Sequence, residues 1–193
     1  MSNTATRAAD PTLGPQVLPG GDWDLDTAHT TIGFVARHMM LARSRGRFGQ
    51  FSGTIHVDPD DPGRLAAEAV IEAASIDTRN EQRDGHLRSP DFLDVANHPQ
   101  IIFRSTGFEH LGGANWRVEG ELTIRAVTRP ITLDVEFAGS GKNPWGAEVA
   151  FFTARGELDR ESYGMTWNQA LEGGGWLVSK KIEIEIEGEA VRR

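Results

Sequence analysis

Near its end the chain reads Ile182-Glu183-Ile184-Glu185-Ile186-Glu187, an uninterrupted alternation of strongly apolar and strongly polar residues. Period two belongs to the β-strand, whose successive side chains point to opposite faces; on a helix the same isoleucines would be scattered around the circumference. The pattern recurs along most of the sequence. Trp23 and Leu25 alternate with Asp22, Asp24 and Asp26, and Ile32, Phe34 and Ala36 with Thr31, Val35 and Arg37. Phe51, Gly53, Ile55 and Val57 oppose Ser52, Thr54 and His56 until Asp58-Pro59 stops the run. Leu65, Ala67, Ala69, Ile71 and Ala73 oppose Glu68 and Glu72, and Ile101 and Phe103 follow Pro99. Trp116, Val118, Leu122 and Ile124 face away from Arg117, Glu119, Glu121 and Arg125. Ile131, Leu133, Val135 and Phe137 oppose Thr132, Asp134 and Glu136, while Phe152, Ala154 and Leu158 oppose Thr153, Arg155 and Glu157.

These stripes amount to about eight or nine strands, each with one dry and one wet face, which is the mark of antiparallel sheet with one side in water. Such strands can bury their dry faces in a sandwich or in a barrel. Closure also removes the unpaired edges that invite aggregation. The expectation is an all-β fold, a closed antiparallel barrel of eight strands. At that size the interior is either filled by side chains or left with room for one ligand. The inward stripes carry Ala67, Ala69 and Ala73 in one place and Ala150, Ala154 and Gly156 in another. Small residues leave volume unless Phe34, Phe103, Trp116, Phe137 and Phe152 fill it. The balance of small and large residues tilts modestly towards a hollow interior.

From Thr78 to Asn97 the alternation is lost and helix signals appear. Thr78 with Glu81 is a weak capping box, and Ser89-Pro90 is a better helix start. Two short helices, over 79–88 and 90–95, are expected as an insert between strands. Residues 1–20 read as an N-terminal arm that ends in the turn signal Pro19-Gly20-Gly21, leaving 21–193 as one β-domain.

The formal net charge of −8 argues against nucleic acid and against electrostatic attachment to anionic lipid. Arg43, Arg45 and Arg47 read as a solvated strand face. The absence of cysteine excludes disulfides, thiolate metal ligands and cysteine nucleophiles. No run approaches the ~18 consecutive apolar residues of a membrane helix. Met1–Gly21 lacks the apolar core of a secretory signal, so a cytoplasmic location is expected, or a periplasmic or secreted one if a leader was replaced. His29 and His38 are nine apart and His86 and His98 twelve, neither a local zinc spacing, so no metal site is expected. Arg83, Asp84 and His86 look like an acid–base cluster, but the first two are neighbours and do not share a helix face. Their expected role is to pin the insert over a barrel end. Gly139-Ser140-Gly141-Lys142 has the wrong spacing for a phosphate loop and reads as a hairpin turn, and Gly173-Gly174-Gly175 as a connection. No Gly-x-Ser-x-Gly element or paired-carboxylate pattern is present.

Several blocks in order carry a more specific signal. They begin with Trp23-Asp24-Leu25-Asp26, His29-Thr30-Thr31-Ile32-Gly33-Phe34, His38-Met39-Met40 and Arg45-Gly46-Arg47-Phe48. Next come Ser75-Ile76-Asp77-Thr78-Arg79-Asn80, Arg83-Asp84-Gly85-His86-Leu87-Arg88-Ser89 and Asp91-Phe92-Leu93-Asp94. Pro99 to Thr106 and Gly120 to Arg125 complete the set. Over about residues 22–190 the chain resembles the YceI-like family of lipocalin-like, polyisoprenoid-binding proteins. It departs from the family pattern at Ala126, where Gly is usual, and over Trp167 to Gly175.

The resemblance implies a barrel whose tunnel holds a polyprenyl or quinone-type chain, as a carrier, store or sensor, with no catalytic residues and no cofactor beyond that bound lipid. Apolar burial alone suffices for affinity: at ~0.8 kcal/mol per CH₂, a dozen buried carbons give on the order of 9 kcal/mol before ordering costs. Residues expected to line the site are Ile32, Phe34, Ala36 and His38 on one strand and Ala69 and Ile71 on another. Phe103, Leu122, Leu133, Val135, Phe152, Ala154 and Ile184 come from the remaining strands. Polar atoms of His38, Ser105 or Asn168 are candidates to orient a head group. A homodimer is expected from the resemblance and from the aromatic surplus of Trp145 and Trp167. The alternatives are an enzyme acting on an apolar substrate in the same cavity, marked by two titratable groups within reach of each other there, and a ligand-free structural dimer with a filled barrel.

Overall fold

The structure, a computed structural model, describes residues 17–39, 41–61 and 63–193, so the expected arm falls almost wholly outside it. The strands are β1 (Gly21–Leu25), β2 (Thr31–His38), β3 (Ala42–Phe48), β4 (Phe51–Val57), β5 (Leu65–Glu72) and β6 (Ile76–Asp77). Helix α1 (Glu81–Arg88) follows, then β7 (Gln100–Gly112), β8 (Asn115–Ile124), β9 (Val127–Lys142), β10 (Glu148–Asp159) and β11 (Val178–Arg192). Eight strands pair in the order β1-β4-β5-β7-β8-β9-β10-β11, and β1 pairs back onto β11 to close the barrel. Every pairing is antiparallel, as the one-sided alternation requires.

The other three strands exist because β11 outruns β1. β1 covers only Ala190–Arg192, and β2 takes over the same edge from Glu187 back to Val178. Between them the chain turns at Thr30, whose hydroxyl donates to the Glu189 carbonyl and accepts from the Glu189 N–H, both at 3.1 Å. β3 pairs with β2 and touches the two-residue β6 through Arg47↔Asp77 and Phe48↔Ile76. On the outer face Arg43 reaches from β3 across β2 to Glu183 (2.5 Å) and Glu185 (3.4 Å) of β11. Beneath this arch Val35 is 1% exposed although its place in the alternation is outward. The arginine stripe is thus an ion-pair lattice.

The insert differs from expectation. It contains one helix, capped by Asn80, whose side chain accepts from the Arg83 N–H at 3.0 Å. Ser89 closes that helix instead of opening a second, and 90–95 is a series of turns in which the Ser89 carbonyl accepts from the N–H groups of Phe92 and Asp94. Pro90 therefore follows a helix end, a position that suits it as well as a helix start. The helix is polar on all sides except Leu87, so side-chain hydrogen bonds hold it. Asp84 accepts from the Thr78 N–H (2.9 Å) and hydroxyl (2.5 Å), Arg83 donates to the Thr78 hydroxyl and carbonyl, and Arg88 donates to the carbonyls of Ala74 and Ile76. Gly139–Lys142 is also not a turn: it is the last stretch of β9, beside a bulge, and the turn is made by Asn143, whose side chain accepts from the N–H groups of Trp145 and Ala147.

The core forms two clusters, a larger one that reaches from the insert along the barrel wall through Ile32, Leu122, Ile131 and Leu133, and a smaller one at the other end. Ile76, Leu93, Ile124, Tyr163 and Met165 gather at the insert end, and Trp23, Val57, Phe137, Ala150 and Ala190 at the other. No described helix is long and apolar enough to cross a membrane.

Candidate functional site

Inside the wall that these clusters form, the barrel is hollow. The cavity has a volume of about 320 Å³ and runs from Leu18, Leu65 and Trp116 to Leu87, Phe92 and Met165 under the insert. That is within the ~300–1,000 Å³ usual for small-molecule sites. Its wall is built mainly from alternate residues of the strands, among them Ala67, Ala69 and Ile71 of β5, Ile131, Leu133, Val135 and Phe137 of β9, Ala150, Phe152, Ala154 and Leu158 of β10, and Ile182, Ile184 and Ile186 of β11.

Glycines on the inward faces decide where the large side chains lie. Gly46 stands opposite Phe34, and Gly188 opposite Phe152. A Cβ at either would come within 3.0 Å of the ring, closer than real Cβ contacts allow. Gly120 stands in the same relation to Phe103, Gly156 to Leu133, and Gly53 to Leu25. Each large side chain occupies the place its neighbour's side chain would need, and so leaves the lumen clear.

Of the residues expected to line the site, Ile32, Phe34, Ala36, Ala69, Ile71, Phe103, Leu122, Leu133, Val135, Phe152, Ala154 and Ile184 all border this cavity. His38 does not. It shares the parity of Ile32 and Phe34, but the β11 ladder slips at a bulge between Val178 and Ile182, and the end of β2 runs past the rim, leaving His38 exposed. Ser105 and Asn168 are also spent elsewhere. The Ser105 hydroxyl accepts from the Ala67 N–H (2.8 Å) where the β5–β7 ladder ends, and the Asn168 amide bonds both the carbonyl and the N–H of Val178. Trp167 packs at 4.6 Å, edge to face, on His86, which also meets Phe92 at 5.0 Å and Asp91 at 2.8 Å.

Two ionisable residues border the cavity, Glu68 and Arg160. Glu68 turns outward to Arg104 (3.1 Å). Arg160 is 2% exposed and sits under the insert, its guanidinium carbon 5.8 Å from the Phe92 ring centre. Its Nε donates to the Ser179 carbonyl at 2.9 Å and its Nη1 to the Met165 carbonyl. Loss of water lowers its pKa, partly offset by the charges of Glu161 and Asp159. Sequence reasoning missed this residue, although a signal was available: position 160 continues the inward parity of Phe152, Ala154, Gly156 and Leu158.

Outside the barrel, Asp26, His29 and Glu189 bring their donor atoms within 4.8 Å of one another. The Nδ1 of His29 is committed to Asp26 at 2.8 Å, and the other Asp26 oxygen accepts from the Ala28 N–H, so the group stitches the β1–β2 turn. Asp26 and Glu189 together raise the pKa of His29, the hydrogen bond to Asp26 being the largest cause.

The chain is 37% identical over 169 residues to the UPF0312 protein SA2479 of Staphylococcus aureus, covering 87% of this chain and 96% of that one. Among solved structures its fold is similar to BcnA of Burkholderia cenocepacia, with a TM-score of 0.74 at 22% identity over 86% of this chain and 98% of that one. It is also similar to a polyisoprenoid-binding domain from Saccharophagus degradans, with a TM-score of 0.60 at 14% identity over 89% and 98%. The description of the YceI-like domain matches residues 23–190, from Trp23 at the start of the barrel to Ala190 at its close, and the chain belongs to that family.

Proposed function

We propose that this protein binds a long isoprenoid chain, of polyprenyl or quinone type, inside the barrel, as a carrier, store or sensor rather than an enzyme. The observation that carries the proposal is the cavity: continuous, apolar and kept open by inward glycines beside the large side chains. A barrel built only for stability gains nothing from such a void, since unfilled volume costs contacts on every wall. The solved Saccharophagus degradans domain of similar fold, described as polyisoprenoid-binding, supports the same reading. Binding is favoured over catalysis because neither ionisable residue at the cavity is set up for proton transfer: Glu68 is turned to Arg104 outside, and the two carboxylates whose charges act on Arg160 are engaged elsewhere, Glu161 by Lys180 and Asp159 by the Glu161 N–H.

The test is mass spectrometry of an organic extract of the purified protein, with an unrelated barrel purified alongside. A near-stoichiometric isoprenoid is expected. An extract that matches the control, together with no uptake of added ubiquinone or farnesol, would remove the proposal. We also propose a homodimer through Trp145, which is 87% exposed and leaves apolar surface in water; Trp167 packs on His86 within the chain. A concentration-independent monomer mass in sedimentation would dispose of that element.

A further inference from the structure

Among the described residues Arg160 makes no ion pair: Glu161 and Asp159 are near enough for their charges to favour its charged form, but the Asp159 carboxylate accepts from the Glu161 N–H instead. Among the described residues its Nη2 is buried with no hydrogen-bond partner. The nearby Glu161 carboxylate is engaged instead by Lys180, at 2.8 Å. The two groups that do bind Arg160 are backbone carbonyls, of Ser179 and Met165, and they hold the guanidinium at the cavity wall without neutralising it. A cation taken out of water and left unpaired is costly, and folded proteins pair such groups or place them where a ligand completes them. Apart from Thr54 and the outward-turned Glu68 the remaining wall is hydrocarbon, so Arg160 is the one cation among the described residues that borders the lumen and could receive a polar end. A planar guanidinium with a free N–H group matches the oxygens of a carboxylate or phosphate.

We infer that the chain this barrel binds ends in an oxyanion, a carboxylate or a phosphate, received by Arg160 at the insert end. The inference rests on the proposed binding of an apolar chain and adds the chemistry of its terminus. Tyr163 and Met165, both buried beside Arg160 in sequence, and Trp167 on His86 shelter this end from water, which strengthens a charge-assisted hydrogen bond there.

The experiment is displacement of the neutral dye N-phenyl-1-naphthylamine from delipidated full-length protein. Two pairs of ligands are compared, palmitate with hexadecanol and farnesyl phosphate with farnesol. In each pair the chain is shared and only the terminus differs. The wild type should prefer the oxyanion by about tenfold or more in at least one pair, the usual worth of a charged hydrogen bond. Which pair shows it separates carboxylate from phosphate. R160M, of similar length and apolar, should lose the preference, binding each oxyanion no more tightly than its alcohol. Equal affinities within both wild-type pairs, or a preference that survives in R160M, would overturn the inference while leaving apolar binding intact. Failure of all four ligands would sink both. Should R160M not fold, the Arg160 side-chain NMR resonances of the wild type decide: the preferred oxyanion shifts them and its alcohol does not, and resonances unmoved by either overturn the assignment.

Discussion

Phe152 on β10 lies over Gly188, the residue directly opposite it on β11, so closely that even one added methyl at 188 has nowhere to go. Glycine weakens a strand interior, so its use here needs a reason in packing. The ring fills the space above Gly188 and so stays near the wall. The same relation between Phe34 and Gly46, and a diagonal one between Phe103 and Gly120, makes this a repeated device.

Gly188→Ala should therefore push the Phe152 ring inward, reduce uptake of an apolar probe, and cost about 1–3 kcal/mol through overpacking. Adding Phe152→Leu should restore much of both, because the clash is with the ring and the two sites are coupled. Thermal melts and dye uptake of the single and double variants check this. Uptake in Gly188→Ala equal to wild type would show that the ring does not bound the cavity.

The parity of the strands carried most of this site in plain view. Ile131, Leu133, Val135 and Phe137 follow one another down the wall as their alternation requires, and Ala69 and Ala154 are inward where small residues were noticed. What parity cannot convey is a change of phase. A bulge between Ser105 and Gly107 lets Phe103 and Phe108 both reach the lumen, although they differ in parity. The bulge beyond Ile182 likewise takes His38 out of the site. Gly46 and Gly188 are legible as gaps, but their pairing with Phe34 and Phe152 depends on register, a long-range property. Arg160 lay in phase and was hidden by its neighbours: Asp159-Arg160-Glu161 reads as a charged turn. Ser89-Pro90 misled because Pro suits both ends of a helix, and only the Asn80 cap settles the direction.

Ala126→Gly should stabilise the protein. The two-residue turn between β8 and β9 holds Arg125 at φ 51° and Ala126 at φ 59°, the left-handed region at both positions. Such a turn favours glycine second, since a Cβ there costs roughly 1–2 kcal/mol. Glycine's greater freedom in the unfolded chain returns part of that, leaving a gain below about 1 kcal/mol, or about 2 °C in Tm for a chain this size. Arg125 should be kept, because it donates to the Gly164 carbonyl at 3.0 Å. A lower Tm in the variant would contradict the account.

Stability should also carry a small dependence on the protonation of His29. Asp26 and Glu189 raise its folded pKa above the usual 6.5, so its contribution is fully present below that value and is lost as pH rises through the folded one. From pH 6 to 8 the Tm of the wild type should fall relative to that of His29→Gln, which keeps a polar side chain without the titration. The group is exposed and the effect is small. Parallel pH profiles of the two proteins would show that the pairing with Asp26 contributes nothing to folding.

Ala69→Phe tests whether the lumen is space for a ligand. Ala69 on β5 faces the cavity between Gly53 of β4 and Phe103 of β7, its partners in the two ladders. In a filled barrel a phenyl ring at this position would overpack the core, typically costing about 1–3 kcal/mol. In a hollow one it enters the tunnel, where it gains contacts and takes the place of part of the ligand. The two cases are separable only without bound lipid, because a ligand that binds the folded state raises apparent stability by mass action. Both proteins should therefore be delipidated before melting. The expected outcome is a folding transition near wild type with a clear loss of apolar-probe binding. A strongly destabilised variant whose lipid content is unchanged would mean that the stripe Leu65, Ala67, Ala69, Ile71 is plain core, and the cavity reading would lose its main support.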